Sequence, residues 1–126
     1  LMGKKKEASE TLSEFLDFLD TCERQYQTAK DAVGLEDRRL QDLLHELEFA
    51  QDKAERNRVA TKFQRSRRER RRQKDEVQRL ELIVNFFNEQ NHKNTVKKMR
   101  QLLGRQRKEE EFLRGKRVYK PRVKAE

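Results

Sequence analysis

Leu40-Gln41-Asp42-Leu43-Leu44-His45-Glu46-Leu47-Glu48-Phe49-Ala50-Gln51-Asp52-Lys53-Ala54-Glu55-Arg56-Asn57-Arg58-Val59 contains neither glycine nor proline. Within it Leu40, Leu43, Leu47, Ala50 and Ala54 recur at steps of three and four, the spacing of one face of an α-helix. Glycine and proline are absent all the way from Leu35 to Leu103, and the apolar set continues as Val59, Phe63, Val77, Leu80, Val84 and Phe87. One long central helix over about residues 36–90 is the simplest reading, roughly 80 Å in length at 1.5 Å per residue. The five-residue step from Ala54 to Val59 turns the apolar face by roughly 140° at 100° per residue. The two halves of such a helix would meet different partners. A break near Asn57, folding the chain into a compact four-helix bundle, is the competing geometry.

Upstream, Leu12, Phe15, Leu19, Cys22, Tyr26, Ala29 and Val33 form a heptad seam. Ser9 or Thr11 can cap its start, and Gly34 sits where a left-handed C-cap would end it. A first helix over about residues 9–33 is expected. Downstream, the polar run Asn88-Glu89-Gln90-Asn91-His92-Lys93-Asn94 reads as a turn, because such side chains compete for backbone hydrogen bonds. A third helix follows over about residues 95–114, with Val96, Met99, Leu102, Leu103, Phe112 and Leu113 as its sparse apolar set. Gly104 weakens its middle by roughly 1 kcal/mol relative to alanine, and Gly115 ends it. The expected fold is all-α, with extended antiparallel coiled-coil hairpins built around the long central helix. Residues 1–8 are expected to be a disordered leader, beginning with a Leu1-Met2 extension ahead of a native methionine. Residues 9–114 form a single helical domain, and residues 115–126 a flexible basic tail.

Composition supports thin helices over a thick core. The chain has 126 residues, of which 44% are charged and 33% hydrophobic, with one proline, four glycines and no tryptophan. Leu, Ile, Val and Phe together make up about 23%, just above the roughly 20% below which highly charged chains tend to stay unfolded. A many-stranded sheet would need more turn residues than these. Each two-helix seam is marginal alone, so a homodimer is expected. No stretch approaches the roughly 20 apolar residues of a membrane span, and a soluble, cytoplasmic protein without membrane contact is the expectation. Cys22 is the single cysteine; it lies on the apolar stripe and reads as a buried, inert thiol.

Charge is distributed unevenly. Residues 1–55 hold 8 basic and 14 acidic groups, net −6; residues 56–79 hold 11 and 3, net +8; residues 80–126 hold 13 and 6, net +7. The middle block places Arg65, Arg67, Arg68, Arg70, Arg71, Arg72 and Lys74 around most of a helix circumference. Its acidic neighbours would be Glu14, Asp17, Asp20 and Glu23 of a first helix too short to reach residues 61–79, and Glu109, Glu110 and Glu111 of a third helix folded back toward Arg70–Lys74. A cationic surplus is expected to remain. Guanidinium groups in such a surplus contact backbone phosphates and release counterions. Nucleic acid is therefore the first expected partner, bound through the seven block residues together with Lys116, Arg117, Lys120 and Arg122 of the tail. An acidic protein surface is the second, and a solvated or ion-paired interaction module the alternative function. Aromatic interleaving is confined to Phe63, which argues against a single-strand stacking platform.

Glu55-Arg56-Asn57-Arg58-Val59-Ala60-Thr61-Lys62-Phe63-Gln64-Arg65-Ser66-Arg67-Arg68 resembles the basic region of leucine-zipper transcription factors. That resemblance implies that Asn57 and Arg65 contact bases and phosphates in a major groove, with Ala60 at a small-residue position. The zipper itself departs from the pattern, its leucine positions falling on Asp75, Leu82 and Glu89. The layout of the whole chain also resembles short basic helical proteins of bacteriophages and mobile elements, which would imply a part in their DNA transactions and no catalysis. No chemistry-bearing constellation accompanies these features. The glycines form no phosphate-cradling loop, and His45, His92 and Cys22 have no metal-ligand spacing. Acid pairs such as Asp17 and Asp20 are ordinary solvated residues. No enzyme, catalytic residue, cofactor or metal is expected.

Overall fold

The structure, a computed structural model, describes residues 5–123. Three helices account for its regular structure: α1 (Ala8–Glu48), α2 (Lys53–Asn88) and α3 (Gln90–Arg114). No strand occurs among the described residues, and no helix there is long and apolar enough to cross a membrane. Of the two terminal expectations, the disordered leader over residues 1–8 lies outside the described residues for 1–4, and the flexible tail over residues 115–126 does so for 124–126. Ala8 is already helical.

The first helix does not stop at Gly34. It continues to Glu48, 41 residues in all from Ala8, and no glycine among the described residues has positive φ. Ala29, Glu36 and Leu43 are buried at heptad steps on either side of Gly34. Continuous packing on α2 thus offsets the roughly 1 kcal/mol that glycine costs a helix interior. The long helix expected over 36–90 is correspondingly two helices, broken at residues 49–52 and not near Asn57, which lies inside α2. Asp52 is the reason. Its carboxylate accepts the Glu55 backbone N–H at 2.8 Å, while the Glu55 carboxylate accepts the Gln51 N–H at 2.8 Å. This reciprocal arrangement starts a new helix without glycine or proline. The Phe49 and Ala50 N–H groups close α1 on the carbonyls of His45 and Leu47. The apparent rotation of the apolar face between Ala54 and Val59 arises because Ala54, already in α2, is exposed and does not belong to the seam that Val59 joins.

The second junction is shorter than the polar run suggested. Glu89 alone is extended (φ −63°, ψ 140°), and Asn91, Lys93 and Asn94 belong to the first turns of α3. His92 Nδ1 lies 2.7 Å from the Phe86 carbonyl oxygen, and its ring stacks on Phe86 at 3.9 Å between centroids. One histidine thus meets a last-turn carbonyl that also accepts the Glu89 N–H at 3.3 Å, and packs the corner. At the start of α1 neither Ser9 nor Thr11 caps the helix. Glu7 holds the capping position, without a side-chain bond.

α2 runs antiparallel to α1, as the pairs Glu46–Lys62, Glu36–Ser66, Gln25–Arg79 and Phe15–Phe87 show. α3 also runs antiparallel to α1, beside its first third, through Asp20–Arg100, Ser13–Arg107 and Glu7–Arg114. The apolar core is correspondingly thin: Leu16, Cys22, Ala29 and Leu43 from α1, and Val59, Leu80 and Val84 from α2. Cys22, Leu80 and Val84 pack together with Tyr26 and Ile83. Burying a leucine such as Leu16 or Leu80 contributes roughly 1.5–3 kcal/mol.

Candidate nucleic-acid interface

The arginine block lies on α2 between Val59 and Leu80, two of the buried residues that anchor this helix. Heptad steps from Val59 pass through Ser66 and Gln73 to Leu80, so the middle of the seam is polar. Glu36 of α1 stands opposite with only 4% exposure. It accepts the Ser66 hydroxyl at 2.5 Å and pairs with Arg39 at 2.5 Å. A buried carboxylate is tolerated because both of its oxygens have donors. Next to it Arg70 Nε meets Asp37 Oδ1 at 2.6 Å, and farther along Lys62 meets Glu46 at 2.9 Å.

α1 therefore does lie along the block, contrary to the expectation of a short first helix, because it continues past Gly34. The glutamates of α3 do not fold back on Arg70–Lys74. Glu110 accepts the Ser9 backbone N–H at 3.0 Å and the Ser9 hydroxyl, and Gln106 donates to it at 2.9 Å. The Ser9 hydroxyl, followed by the Gln106 amide, holds the Glu110 carboxyl below the usual carboxylate range. It sits at the positive end of α1, where an anion is favoured.

The expected site residues consequently separate into three sets. Arg70 is committed to Asp37, and Arg72 to Glu69 one turn away. Arg72 and then Gln73 hold the Glu69 carboxyl below its ordinary value. Arg65, Arg67, Arg68, Arg71 and Lys74 are exposed and make no ion pair with any carboxylate among the described residues. They line the two flanks and the outer side of α2. Arg65 and Arg68 border a shallow groove shared with Arg39 of α1, and Arg67, Arg71 and Lys74 border one on the other side beside Phe63. The third set, Lys116, Arg117, Lys120 and Arg122, is exposed in the segment after Gly115, outside any helix. Arg117 lies 5.7 Å from the Phe112 ring centroid.

These tail residues are not brought to the block. Arg114 faces Glu7 at 3.7 Å, so the tail leaves from the start of α1. Glu36 lies about 40 Å farther along that helix at 1.5 Å per residue. Sequence reading missed Glu36 and Ser66 as paired core positions. Their signal was the heptad itself, since 29, 36 and 43, and likewise 59, 66 and 73, are spaced by seven. Among the described residues no three His, Cys, Asp or Glu side chains gather as metal ligands. The arrangement is that of a three-helix protein whose α2 carries a group of cations bare of carboxylate partners among the described residues, and the chain matches no known protein family model, no curated protein and no solved structure.

Proposed function

We propose that this chain is a non-enzymatic nucleic-acid-binding protein that contacts backbone phosphates through the exposed face of α2. The α1–α2 pair serves as an antiparallel coiled-coil support. The observation that carries this reading is the set Arg65, Arg67, Arg68, Arg71 and Lys74, bare of carboxylate partners although α1 and its acids lie alongside. Asp37 and Glu69 neutralise Arg70 and Arg72, but Glu36 turns inward to Ser66, so the other five block cations keep no carboxylate partner among the described residues. Lys116, Arg117, Lys120 and Arg122 supply a second, separate phosphate contact from the far end of α1.

The test is fluorescence anisotropy with a labelled duplex across a salt series. The five α2 contacts contribute about −4.5 to the log–log salt slope, beyond what the tail adds, and Arg67→Gln/Arg68→Gln/Arg71→Gln reduces the slope by about 2.7. Absence of binding at about 50 mM salt, or an unchanged slope in the triple variant, overturns the reading. A homodimer belongs to the same proposal, since Phe18, Leu82 and Phe86 are exposed on the α1–α2 body. Light scattering reads it directly, and a monomer at micromolar concentration removes it.

A further inference from the structure

α3 carries cations of two kinds. Arg100, Arg107 and Arg114 face α1, where they meet Asp20 at 2.8 Å, the Ser13 hydroxyl at 3.2 Å and Glu7 at 3.7 Å. Lys97, Lys98, Arg105 and Lys108 are exposed and make no ion pair among the described residues. Val96, Met99, Leu103, Gln106 and Glu110 form the buried or half-buried seam of this helix. Lys98, Gln101, Arg105, Lys108 and Phe112 repeat the same steps of three and four two residues later, on the outer face. Arg117 stands 5.7 Å from the Phe112 ring centroid, so the cationic row continues from α3 into the tail. Of the glutamates after Lys108, Glu110 turns inward to Ser9, and Glu109 and Glu111 make no ion pair with the row.

This row and the arginine block of α2 are held apart. Ser66 lies at Glu36 and Arg107 at Ser13, and those two positions on α1 are about 35 Å apart at 1.5 Å per residue. Between the two surfaces, residues 75–89 hold Asp75, Glu76, Glu81 and Glu89 against Arg79 alone, and Arg79 is itself held by Glu76. Leu82 and Phe86 are exposed in the same interval. A polyanion laid along it would press phosphates against carboxylates and apolar side chains. Crossing the rod at one cationic surface avoids that cost.

We infer that the outer face of α3 is a second phosphate-binding surface, and that one chain tethers two duplex segments, one on the α2 block and one on α3 with the start of the tail. The inference rests on the phosphate-binding reading above and adds a site and a function to it. Lys97 to Lys108 span about 17 Å at 1.5 Å per residue, and duplex DNA presents one phosphate charge per about 1.7 Å of its axis, so several phosphates fall within reach of these four side chains. Phe112 is the single aromatic residue on this face, which is too few for a stacking platform that would favour a single strand. Because α1 runs unbroken from one surface to the other, it is a rigid spacer that keeps the two from closing on the same segment. A second duplex bound in this way is held near the first without any contact between them.

The test is capture between two duplexes, one immobilised on beads and the other fluorescent, free and of unrelated sequence, with the full chain added at about 100 mM salt. The parent is expected to carry the free duplex to the beads, with capture passing through a maximum and falling once excess chain fills the two duplexes separately. Lys97→Gln/Lys98→Gln/Arg105→Gln/Lys108→Gln should still bind a single duplex through α2 while losing at least about tenfold in capture. All four positions are exposed, and an unchanged thermal melt confirms that the variant folds. Arg67→Gln/Arg68→Gln/Arg71→Gln should also lose capture while still binding a single duplex. Undiminished capture by the α3 variant overturns the inference, since two chains paired through their bodies would then supply the bridge. Binding by the parent without capture also overturns it and leaves the phosphate-binding reading standing. Failure of the parent to bind any duplex overturns both.

Discussion

At the residue scale, Glu36 and Ser66 meet in the middle of the α1–α2 seam, where a coiled pair would ordinarily place two apolar side chains. Ser66→Val removes one of the two donors to a nearly inaccessible carboxylate and should cost about 1–3 kcal/mol. Glu36→Leu combined with Ser66→Val removes both polar partners, and its melting temperature should return to the parent value or exceed it. Thermal melts of the two variants check this, and a double variant less stable than Ser66→Val alone would contradict it. Glu110 provides a pH-dependent counterpart. Its carboxyl is held low by Ser9 and then Gln106, so its contribution is complete above the ordinary carboxylate range. That contribution is lost as pH falls through its lowered value. Protection of the Ser9 amide relative to its intrinsic exchange rate should therefore fall on acidification, and Glu110→Gln should show a flatter protection profile against pH. Neither pair stood out as a functional or structural pair in the sequence. A glutamate or serine at a heptad position reads as solvated until the residue 30 or 101 positions away is known to lie against it.

At the element scale, the ends of helices were the least legible feature. Gly34 offers a conventional stop, and a boundary there is what local pattern alone suggests. The stop is overridden because Ala29, Glu36 and Leu43 all pack on α2 across that point. The two assignments of Gly34 predict opposite outcomes. In a continuous α1, an added Cβ meets Arg38 Nη1 at 3.9 Å, an ordinary van der Waals separation. Gly34→Ala should then stabilise the protein by up to about 1 kcal/mol, whereas a left-handed cap would be destabilised by the same change. Asp52→Ala, in contrast, removes the N-cap of α2 and should cost about 1 kcal/mol. Denaturant titration distinguishes both. The Asp52-x-x-Glu55 spacing was present in the sequence, but it stood inside an unbroken apolar period and the absence of glycine and proline outweighed it.

At the scale of the whole molecule, the 41 residues of α1 set a length of about 60 Å. Small-angle scattering should give a maximum dimension no smaller than that. A value near 40 Å would indicate a chain refolded into shorter helices. The length also keeps the two basic regions apart. The arginine block lies near the α1–α2 hairpin, while Lys116–Arg122 departs beside Glu7, near the Ser9–Glu110 pair. Deleting residues 116–126 should therefore lower the salt slope of binding without abolishing it, by about 0.9 for each phosphate that the tail no longer neutralises.

Composition and periodicity were sufficient for the all-helical architecture, the thin core, the end of α3 at Gly115 and the concentration of cations on residues 56–79. Those properties follow from each residue's own backbone preference and charge, which act locally. Which cations stay bare, where α1 turns into α2, and how far the tail lies from the block were decided only by packing. They depend on register, and register is set when side chains distant along the chain, Glu36 with Ser66 and Glu110 with Ser9, find donors that no local pattern specifies.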